Sequence, residues 1–218
     1  MPLNDIARVV SAPRGLTVGG DTTAMVDPSG ALVVINFFAK AILDGRGFQV
    51  RAGTITTPLV GDVVITDAAA EFCVDCVVGH VIMPVDQIIS IRLSTGTLHE
   101  YATKSVATVS SAGTAFIPLP LLSGGAAAVT TARVQAAGAV TVTAELATTT
   151  LRHWSWANPA AGFTAALPGD QHQEWHPLHP PVLRGARCLY TQIAATGTGP
   201  SYYANLDYLE FTTAQLGI

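Results

Sequence analysis

The sequence predicts an all-β protein: a β-sandwich, jelly-roll-like in its connections, with about 8–10 strands and little helix. Three observations predict it. Turn signals recur at short intervals, the segments between them alternate with a period of two, and helical periodicity is nearly absent. The turn signals include Asp27-Pro28-Ser29-Gly30, Asp44-Gly45-Arg46-Gly47, Ser94-Thr95-Gly96, Ser123-Gly124-Gly125, Pro168-Gly169-Asp170 and Gly197-Thr198-Gly199-Pro200.

The first half of the chain is predicted to hold short strands and two brief helical turns. The helical candidates are Asn4 to Val10 and Ala39 to Leu43. Segments rich in apolar or β-branched residues predict the strands Leu32 to Phe38, Phe48 to Thr57, Val60 to Thr66 and Glu71 to Val78. A further strand is indicated by Gln87, Ile89, Ile91 and Leu93, which alternate with Ile88, Ser90 and Arg92.

The second half shows the clearest alternation. In Gly138 to Leu151, Val140 and Val142 are predicted to share one face, with Thr141 and Thr143 on the other. Arg187 to Ala195 is a further strand. Near the end of the chain the apolar face is predicted to be formed by Tyr202, Ala204, Leu206 and Tyr208. Leu209 and Phe211 then break the pattern, which predicts a β-bulge near Tyr208.

Length and composition favour a single domain over residues 1–218 that is buried in an assembly. The alternative is two small sandwiches in tandem, divided in the small-residue stretch from Ser110 to Gly125. Charged residues make up 12% of the chain, about half the usual share, while 49% are hydrophobic. The longest apolar stretch, Ala31 to Leu43, is too short to span a bilayer. Contacts between subunits are then the expected means of covering so neutral a surface.

The charge pattern argues against a nucleic-acid-binding surface. The net charge is -4, and the 11 lysines and arginines are scattered singly. Neutralising phosphates requires clustered basic residues, so no direct contact with nucleic acid is expected. The start of the chain lacks a secretory pattern, which predicts synthesis in the cytoplasm.

Cys73-Val74-Asp75-Cys76 has the CxxC spacing of a metal knuckle or redox pair. It falls in a predicted strand, where residues three apart point to opposite faces. Cys76 is expected on the apolar face with Phe72 and Val74, and Cys73 on the face with Asp75. The two thiols therefore cannot share a ligand, Cys188 is expected to stand alone, and all three cysteines are predicted to be structural.

The strongest metal-site candidate is the segment containing His172, Glu174, His176 and His179. Imidazole and carboxylate groups bind zinc and iron. The segment lacks the helical HExxH pattern and the cupin arrangement, and it is rich in proline. A contact loop is the preferred interpretation, and neither a metal nor a cofactor is expected.

Trp154, Trp156 and Trp175 are predicted to lie around the same loop region. Exposed tryptophans stack sugars in many β-sandwich modules, and they are equally enriched at protein interfaces. Few amides and carboxylates lie near them in the sequence, so an interface is preferred. Nucleophile-elbow and phosphate-binding motifs are missing, and the chain is not expected to be an enzyme.

A low-charge sandwich with many small residues and aromatic-proline loops resembles the coat proteins of icosahedral viruses. The resemblance extends over most of the chain, including the strand from Ser201 to Phe211. It implies a capsid subunit found in the virion that assembles with copies of itself, and with other virion proteins where these share the shell.

One feature departs from many small coat proteins. The chain begins Met1-Pro2-Leu3-Asn4-Asp5, where such proteins have a basic arm that binds the genome. This favours a shell that lies over an internal membrane without spanning it, or an outer decoration layer. Two alternatives remain: a carbohydrate-binding module of a phage fibre that uses the three tryptophans, and a cupin-like metalloenzyme that uses the histidines.

Overall fold

The computed structural model describes residues 37–54, 56–66, 68–135, 139–143, 148–157 and 172–218. Two large sheets of antiparallel strands form a sandwich, and a small third sheet lies beside them. The predicted all-β sandwich is thereby confirmed, whereas jelly-roll connectivity stays a prediction. No helix among these residues is long and apolar enough to cross a membrane.

The described residues contain two helices and sixteen strands. The helices are α1 (Phe37–Leu43) and α2 (Thr213–Leu216). The first eight strands are β1 (Gly47–Ala52), β2 (Leu59–Val60), β3 (Ala69–Ala70), β4 (Phe72–Cys76), β5 (His80–Leu93), β6 (Leu98–Val106), β7 (Ser111–Ala112) and β8 (Thr114–Phe116). The next eight are β9 (Leu119–Pro120), β10 (Thr131–Val134), β11 (Val140–Thr141), β12 (Thr148–Ala157), β13 (His172–Trp175), β14 (Leu183–Arg184), β15 (Arg187–Ala195) and β16 (Ser201–Thr212).

The front sheet has the strand order β13-β5-β16-β1-β9, with β14 also paired to β5 and β2 to β16. The back sheet has the order β12-β6-β15-β4-β10-β8. The cover sheet, β3-β11-β7, consists of three two-residue strands. Strands from before and after residues 110–125 pair in the front and back sheets, for example β5 with β16 and β6 with β15. The described strands therefore do not divide there into two sandwiches.

The main hydrophobic core lies between the front and back sheets. Val50 and Leu206 contribute from the front sheet, and Val74 and Leu189 from the back sheet. All four side chains are at most 1% exposed. The predicted alternation in β5 is confirmed at its centre, where Gln87, Ile89 and Ile91 are buried and Ile88 and Ser90 are only partly so.

The C-terminal strand β16 was predicted to have a bulge near Tyr208, and a register shift with β5 occurs there. The extra residue is Val85 of β5, beside Pro84, which has no N–H to donate to the ladder. Pairing of β16 with β1 stays regular through Tyr208 and Leu209. The bulge therefore does not rotate Leu209 onto the inner face.

Leu209 and Phe211 are buried because helix α1 covers the outer face of the front sheet there. Ala41 of α1 packs against both side chains, and Phe38 and Ile42 lie beside them. Positions 38, 41 and 42 follow the spacing of one helix face. The predicted helical turn at Ala39 to Leu43 is thus confirmed within α1. The predicted strand Leu32 to Phe38 is wrong at Phe37 and Phe38, which belong to this helix.

Of two other predicted strands, one is confirmed and one is wrong. Arg187 to Ala195 is confirmed with the same bounds as β15. A continuous strand over Gly138 to Leu151 is wrong, because Val142 and Thr143 lie outside the short strand β11. The predicted alternation nevertheless holds there, with Val140 and Val142 buried and Thr141 and Thr143 exposed. The predicted turn at Asn4 to Val10 lies outside the described residues.

Three further predicted strands are shorter than expected. The strand predicted over Phe48 to Thr57 ends at Ala52 in β1. Within Val60 to Thr66 only Val60 belongs to a strand, with an isolated bridge at Asp62, and within Glu71 to Val78 the strand is Phe72–Cys76. Val78 instead lies in the turn before β5, where its side chain is 79% exposed. β-branched residues thus mark a strand only where a neighbouring strand is available to pair with them.

Candidate functional site

Two of the predicted contact residues, Trp154 and Trp156, lie within β12 and not on a loop. Both pack against the main core. The Trp156 ring stacks on His99 with 4.3 Å between ring centroids, and the Trp154 ring lies 5.4 Å from that of Tyr101. Neighbouring rings therefore occupy faces of both indoles, which leaves less of each for stacking on a sugar.

Trp175 ends β13 on the front sheet and is only partly buried. It lines a shallow surface depression together with Leu178 and His179. The remaining lining residues are Thr150, Leu151, Pro177 and Pro181. Its lining is mainly apolar, with the Thr150 hydroxyl and the His179 imidazole as polar side-chain groups, so it offers hydrophobic contact more than hydrogen bonds.

The histidine segment forms a chain of hydrogen bonds on the outer face of the front sheet. His172 Nε2 lies 2.7 Å from Glu174 Oε1, and His176 Nε2 lies 3.2 Å from Glu174 Oε2. The other ring nitrogens contact Ser90 Oγ at 3.0 Å and Asp86 Oδ1 at 3.1 Å. Hydrogen bonds from the two imidazoles lower the pKa of Glu174.

This arrangement does not focus the imidazole nitrogens on one point. Glu174 separates His172 from His176, and each ring nitrogen already faces an oxygen of a side chain. His179 lies instead at the Trp175 depression. The four residues singled out in the sequence are thus split between two places on the surface.

Buried carboxylates hold the backbone of the sandwich together. Glu71 accepts hydrogen bonds from the backbone N–H of Ile193 at 2.8 Å and of Asp62 at 3.3 Å. Burial, with the charge of Asp62 adding to it, raises the pKa of Glu71 well above its ordinary value. Glu210 accepts from the hydroxyl of Thr130 at 2.8 Å. Both acids are engaged within the fold, as structural groups are.

The back sheet carries a buried cluster that the sequence did not predict. Cys73 and Asp75 project from β4 and Cys188 from β15, all towards the cover sheet. One ligand atom from each of the three residues lies within 4.8 Å of the other two. Cys76, by contrast, faces the main core on the other side of β4. The predicted opposite orientation of Cys73 and Cys76 is confirmed, whereas the expectation that Cys188 stands alone is wrong.

Ser110, just before β7 of the cover sheet, completes the cluster. Its N–H donates to Asp75 Oδ1 at 2.8 Å, and its hydroxyl donates to Asp75 Oδ2 at 2.6 Å. The same hydroxyl lies 3.1 Å from Cys73 Sγ. Arg133 Nε is 3.6 Å from Asp75 Oδ2 and supplies a positive charge. Burial, with Cys73 adjacent, raises the pKa of the Cys188 thiol well above its ordinary value.

Sequence reasoning missed this cluster because it depends on strand pairing. The period of two already placed Cys73 and Asp75 on one face. That Cys188 lies directly opposite Asp75 follows from the register between β4 and β15, two strands about a hundred residues apart in the chain. Spacing within one segment carries no signal of such a partner.

Large apolar side chains remain exposed at both ends of the sandwich, at the β8–β9 edge, and in two connections that hold Val109, Leu178 and Val182. Phe37, Leu43, Val78 and Val129 lie near the end where β1 begins and β16 finishes. The opposite end and its neighbouring loops expose Val60, Val63, Val64, Leu93 and Leu98. At the edge near β8 and β9 the exposed residues are Ile117 and Leu119. Each group is a candidate contact surface.

Comparison with protein-family models, with curated proteins and with solved structures finds no match to this chain.

Proposed function

We propose that the chain is a structural protein of a virus particle, a capsid or coat subunit that assembles with copies of itself. The observation that carries this proposal is the combination of sparse charge with large apolar side chains exposed at both ends of a sandwich. Apolar surface at two opposite ends allows each subunit to contact more than one neighbour. Such contacts, repeated with a fixed rotation that closes, form a ring, and a further contact at the β8–β9 edge allows rings to join into a shell.

The energetics favour burial of these surfaces. Removing apolar area from water contributes roughly 25 cal/mol per Å², and a specific interface buries about 800 Å² on each partner. The 12% of charged residues leaves few ion pairs to desolvate at such contacts. Assembly of this kind is expected to depend on apolar contact more than on charge pairing.

The charge pattern also supports a shell that does not bind the genome. The net charge is -4, and Lys104, one of the two lysines, is buried in the back sheet. A subunit of this kind lies over an internal membrane or forms an outer layer. We expect no retention of DNA or RNA by the purified subunit at physiological salt, and stable binding there would contradict this part of the proposal.

Light scattering combined with negative-stain microscopy tests the proposal directly. The purified chain is expected to form closed particles or oligomers of fixed size as its concentration rises. A chain that stays monomeric at every concentration, alone and with lipid vesicles present, would overturn the assignment.

The alternative, a carbohydrate-binding module of a fibre, is favoured by one observation, the Trp175 depression. Trp154 and Trp156 support it less, because neighbouring rings pack on them. A glycan array probed with wild type and with Trp175→Ala distinguishes the two functions. Binding that is lost in Trp175→Ala and kept in Trp154→Ala would establish the carbohydrate function at the depression.

A further inference from the structure

The buried cluster beneath the cover sheet has the composition of a metal site. Cys73 and Cys188 are fully buried, Asp75 is 5% exposed, and a ligand atom of each lies within 4.8 Å of those of the other two. Two thiolates with one carboxylate suit Zn²⁺, which binds cysteine sulfur and aspartate oxygen in tetrahedral geometry. Zn–S bonds of about 2.3 Å separate two thiolates by about 3.8 Å, a separation compatible with ligand atoms that lie within 4.8 Å of one another.

The charges around the cluster fit a divalent ion. Two thiolates and the Asp75 carboxylate carry three negative charges. A divalent metal and the Arg133 guanidinium, 3.6 Å from Asp75, together neutralise them. The hydroxyl of Ser110 lies beside both Cys73 and Asp75 and is available as a fourth oxygen donor or as a hydrogen-bond donor to the site.

A disulfide fits the register less well. Cys188 lies opposite Asp75 in the β4–β15 ladder, and Tyr190 lies opposite Cys73. The two cysteines are therefore diagonal neighbours on one face. Diagonal positions in an antiparallel pair are about 7–8 Å apart, at or beyond the reach of a disulfide without backbone movement. A metal ion bridges such a gap, because it stands between the two sulfur atoms.

We propose that Cys73, Asp75 and Cys188 bind one thiophilic metal ion, best matched by Zn²⁺, beneath the cover sheet. On binding, the two thiols release their protons to solvent and the carboxylate supplies the third ligand. The ion holds β4 against β15 and fixes Asp75, to which Ser110 at the start of the cover sheet is hydrogen-bonded. The site does not depend on the proposed role in a shell.

The test uses the full chain, freed of metal with a chelator and kept reduced. Zn²⁺ is added in competition with a chromophoric chelator, and Cd²⁺ is added to follow its thiolate absorption in the ultraviolet. We expect one ion per chain. Cys73→Ser and Cys188→Ser are each expected to weaken binding more than about 100-fold, the upper end of the loss for an outer-shell partner.

Cys76→Ser is the matched control. It removes a buried thiol from the same strand β4, on the face that points away from the cluster. This variant is expected to bind one ion with unchanged affinity. Equal loss of binding in Cys76→Ser and Cys188→Ser would overturn the proposal, as would a folded, reduced wild type that binds neither Zn²⁺ nor Cd²⁺.

A second measurement on the wild type decides the matter if the serine variants do not fold. Alkylation of the three cysteines without denaturant is followed by mass spectrometry with and without Zn²⁺. A metal that binds the folded state slows the labelling of every buried thiol that requires unfolding, and direct ligation is expected to slow Cys73 and Cys188 by a larger factor than Cys76. An equal factor for all three thiols, or a Cys73–Cys188 disulfide in freshly purified protein, would contradict the proposal.

Discussion

At the scale of single residues, a polar contact joins the two sheets inside the core. Gln87 of β5 donates to Thr191 Oγ1 at 2.7 Å and accepts from Thr103 Oγ1 at 2.7 Å. All three side chains are buried. Because a buried polar group without a partner costs free energy, the three side chains fix how the sheets face each other.

Replacing Gln87 by Leu leaves both threonine hydroxyls without this partner. We expect Gln87→Leu to lower the free energy of unfolding by about 1–3 kcal/mol. Thr103→Val should cost less in the Gln87→Leu background than in the wild type, because its partner is already gone. Urea denaturation of the four proteins measures this coupling. If the two substitutions lower the unfolding free energy by strictly additive amounts, Gln87 and Thr103 are not coupled.

Glu71 makes stability depend on pH in a direction that its environment determines. Burial raises its pKa in the folded protein above the ordinary value of 4.5. The folded state thus holds this proton more tightly than the unfolded state does. The stabilising contribution is complete below pH 4.5 and is lost as the pH rises through the folded pKa.

Glu71→Gln removes this titration. The unfolding free energy of the wild type, relative to that of Glu71→Gln, is expected to fall as the pH rises from about 4 to about 7. Urea denaturation across that range measures the difference. Glu174→Gln is the control, because hydrogen bonds lower the pKa of Glu174 and the relative stability should not fall there. A pH-independent difference for Glu71→Gln would contradict the argument.

What sequence reasoning predicts at this scale is the face on which a side chain lies, and what it misses is the partner across the sheet. The period of two correctly separated Cys73 from Cys76. The approach of Cys188 to Cys73 depends on pairing between β4 and β15, which local alternation does not encode. The three tryptophans, which are predicted to flank a loop, belong to strands: Trp154 and Trp156 lie in β12, and Trp175 ends β13.

At the scale of elements, the unbroken strands were predictable from the sequence. The elements that pack over the outer faces of these strands were not. Up to Tyr208, β16 alternates between partly buried and buried residues, as packing against one opposite sheet imposes, whereas β15 is buried on both faces after Arg187. The burial of Leu209 and Phe211 on the second face of β16 requires a helix from elsewhere in the chain, and α1 supplies it. A bulge near Tyr208 was expected and is present, but the helix explains the extra apolar residues.

The contact between α1 and β16 gives the prediction at this scale. Leu209 is 1% exposed and packs with Ala41 and Phe211. Leu209→Ala is expected to lower the free energy of unfolding by about 2–5 kcal/mol, since it removes buried methyl groups and leaves a cavity. Leu119→Ala, at a strand position that is 51% exposed, should cost less than about 1 kcal/mol. Urea denaturation compares the two, and equal costs would show that α1 does not cover Leu209.

At the scale of the whole molecule, the surface is not uniform. Among the described residues, the exposed large apolar side chains include three groups, at the two ends of the sandwich and at the β8–β9 edge, besides Val109, Leu178 and Val182. Val78, Leu98 and Ile117 represent one group each. Their exposure follows from the fold, because Val78 and Ile117 lie in connections outside the strands and Leu98 is the first residue of β6, at the end of the sandwich. Composition predicted that such a surface exists, and only the fold shows where it lies.

The proposed assembly makes these three positions sensitive to a single charge. Val78→Asp, Leu98→Asp and Ile117→Asp each place a carboxylate where an apolar contact is expected, and each side chain is at least 40% exposed, so the subunit itself should keep its fold. At least one variant is expected to weaken association about 10-fold or more, which corresponds to about 1.4 kcal/mol.

Ser123→Asp adds the same charge at an exposed turn without an apolar side chain and is the control. Sedimentation velocity over a range of concentrations measures association. Because apolar contacts are screened little by salt, the effect should persist at high ionic strength. Association that is unchanged in all three variants would mean that these surfaces are not where subunits meet.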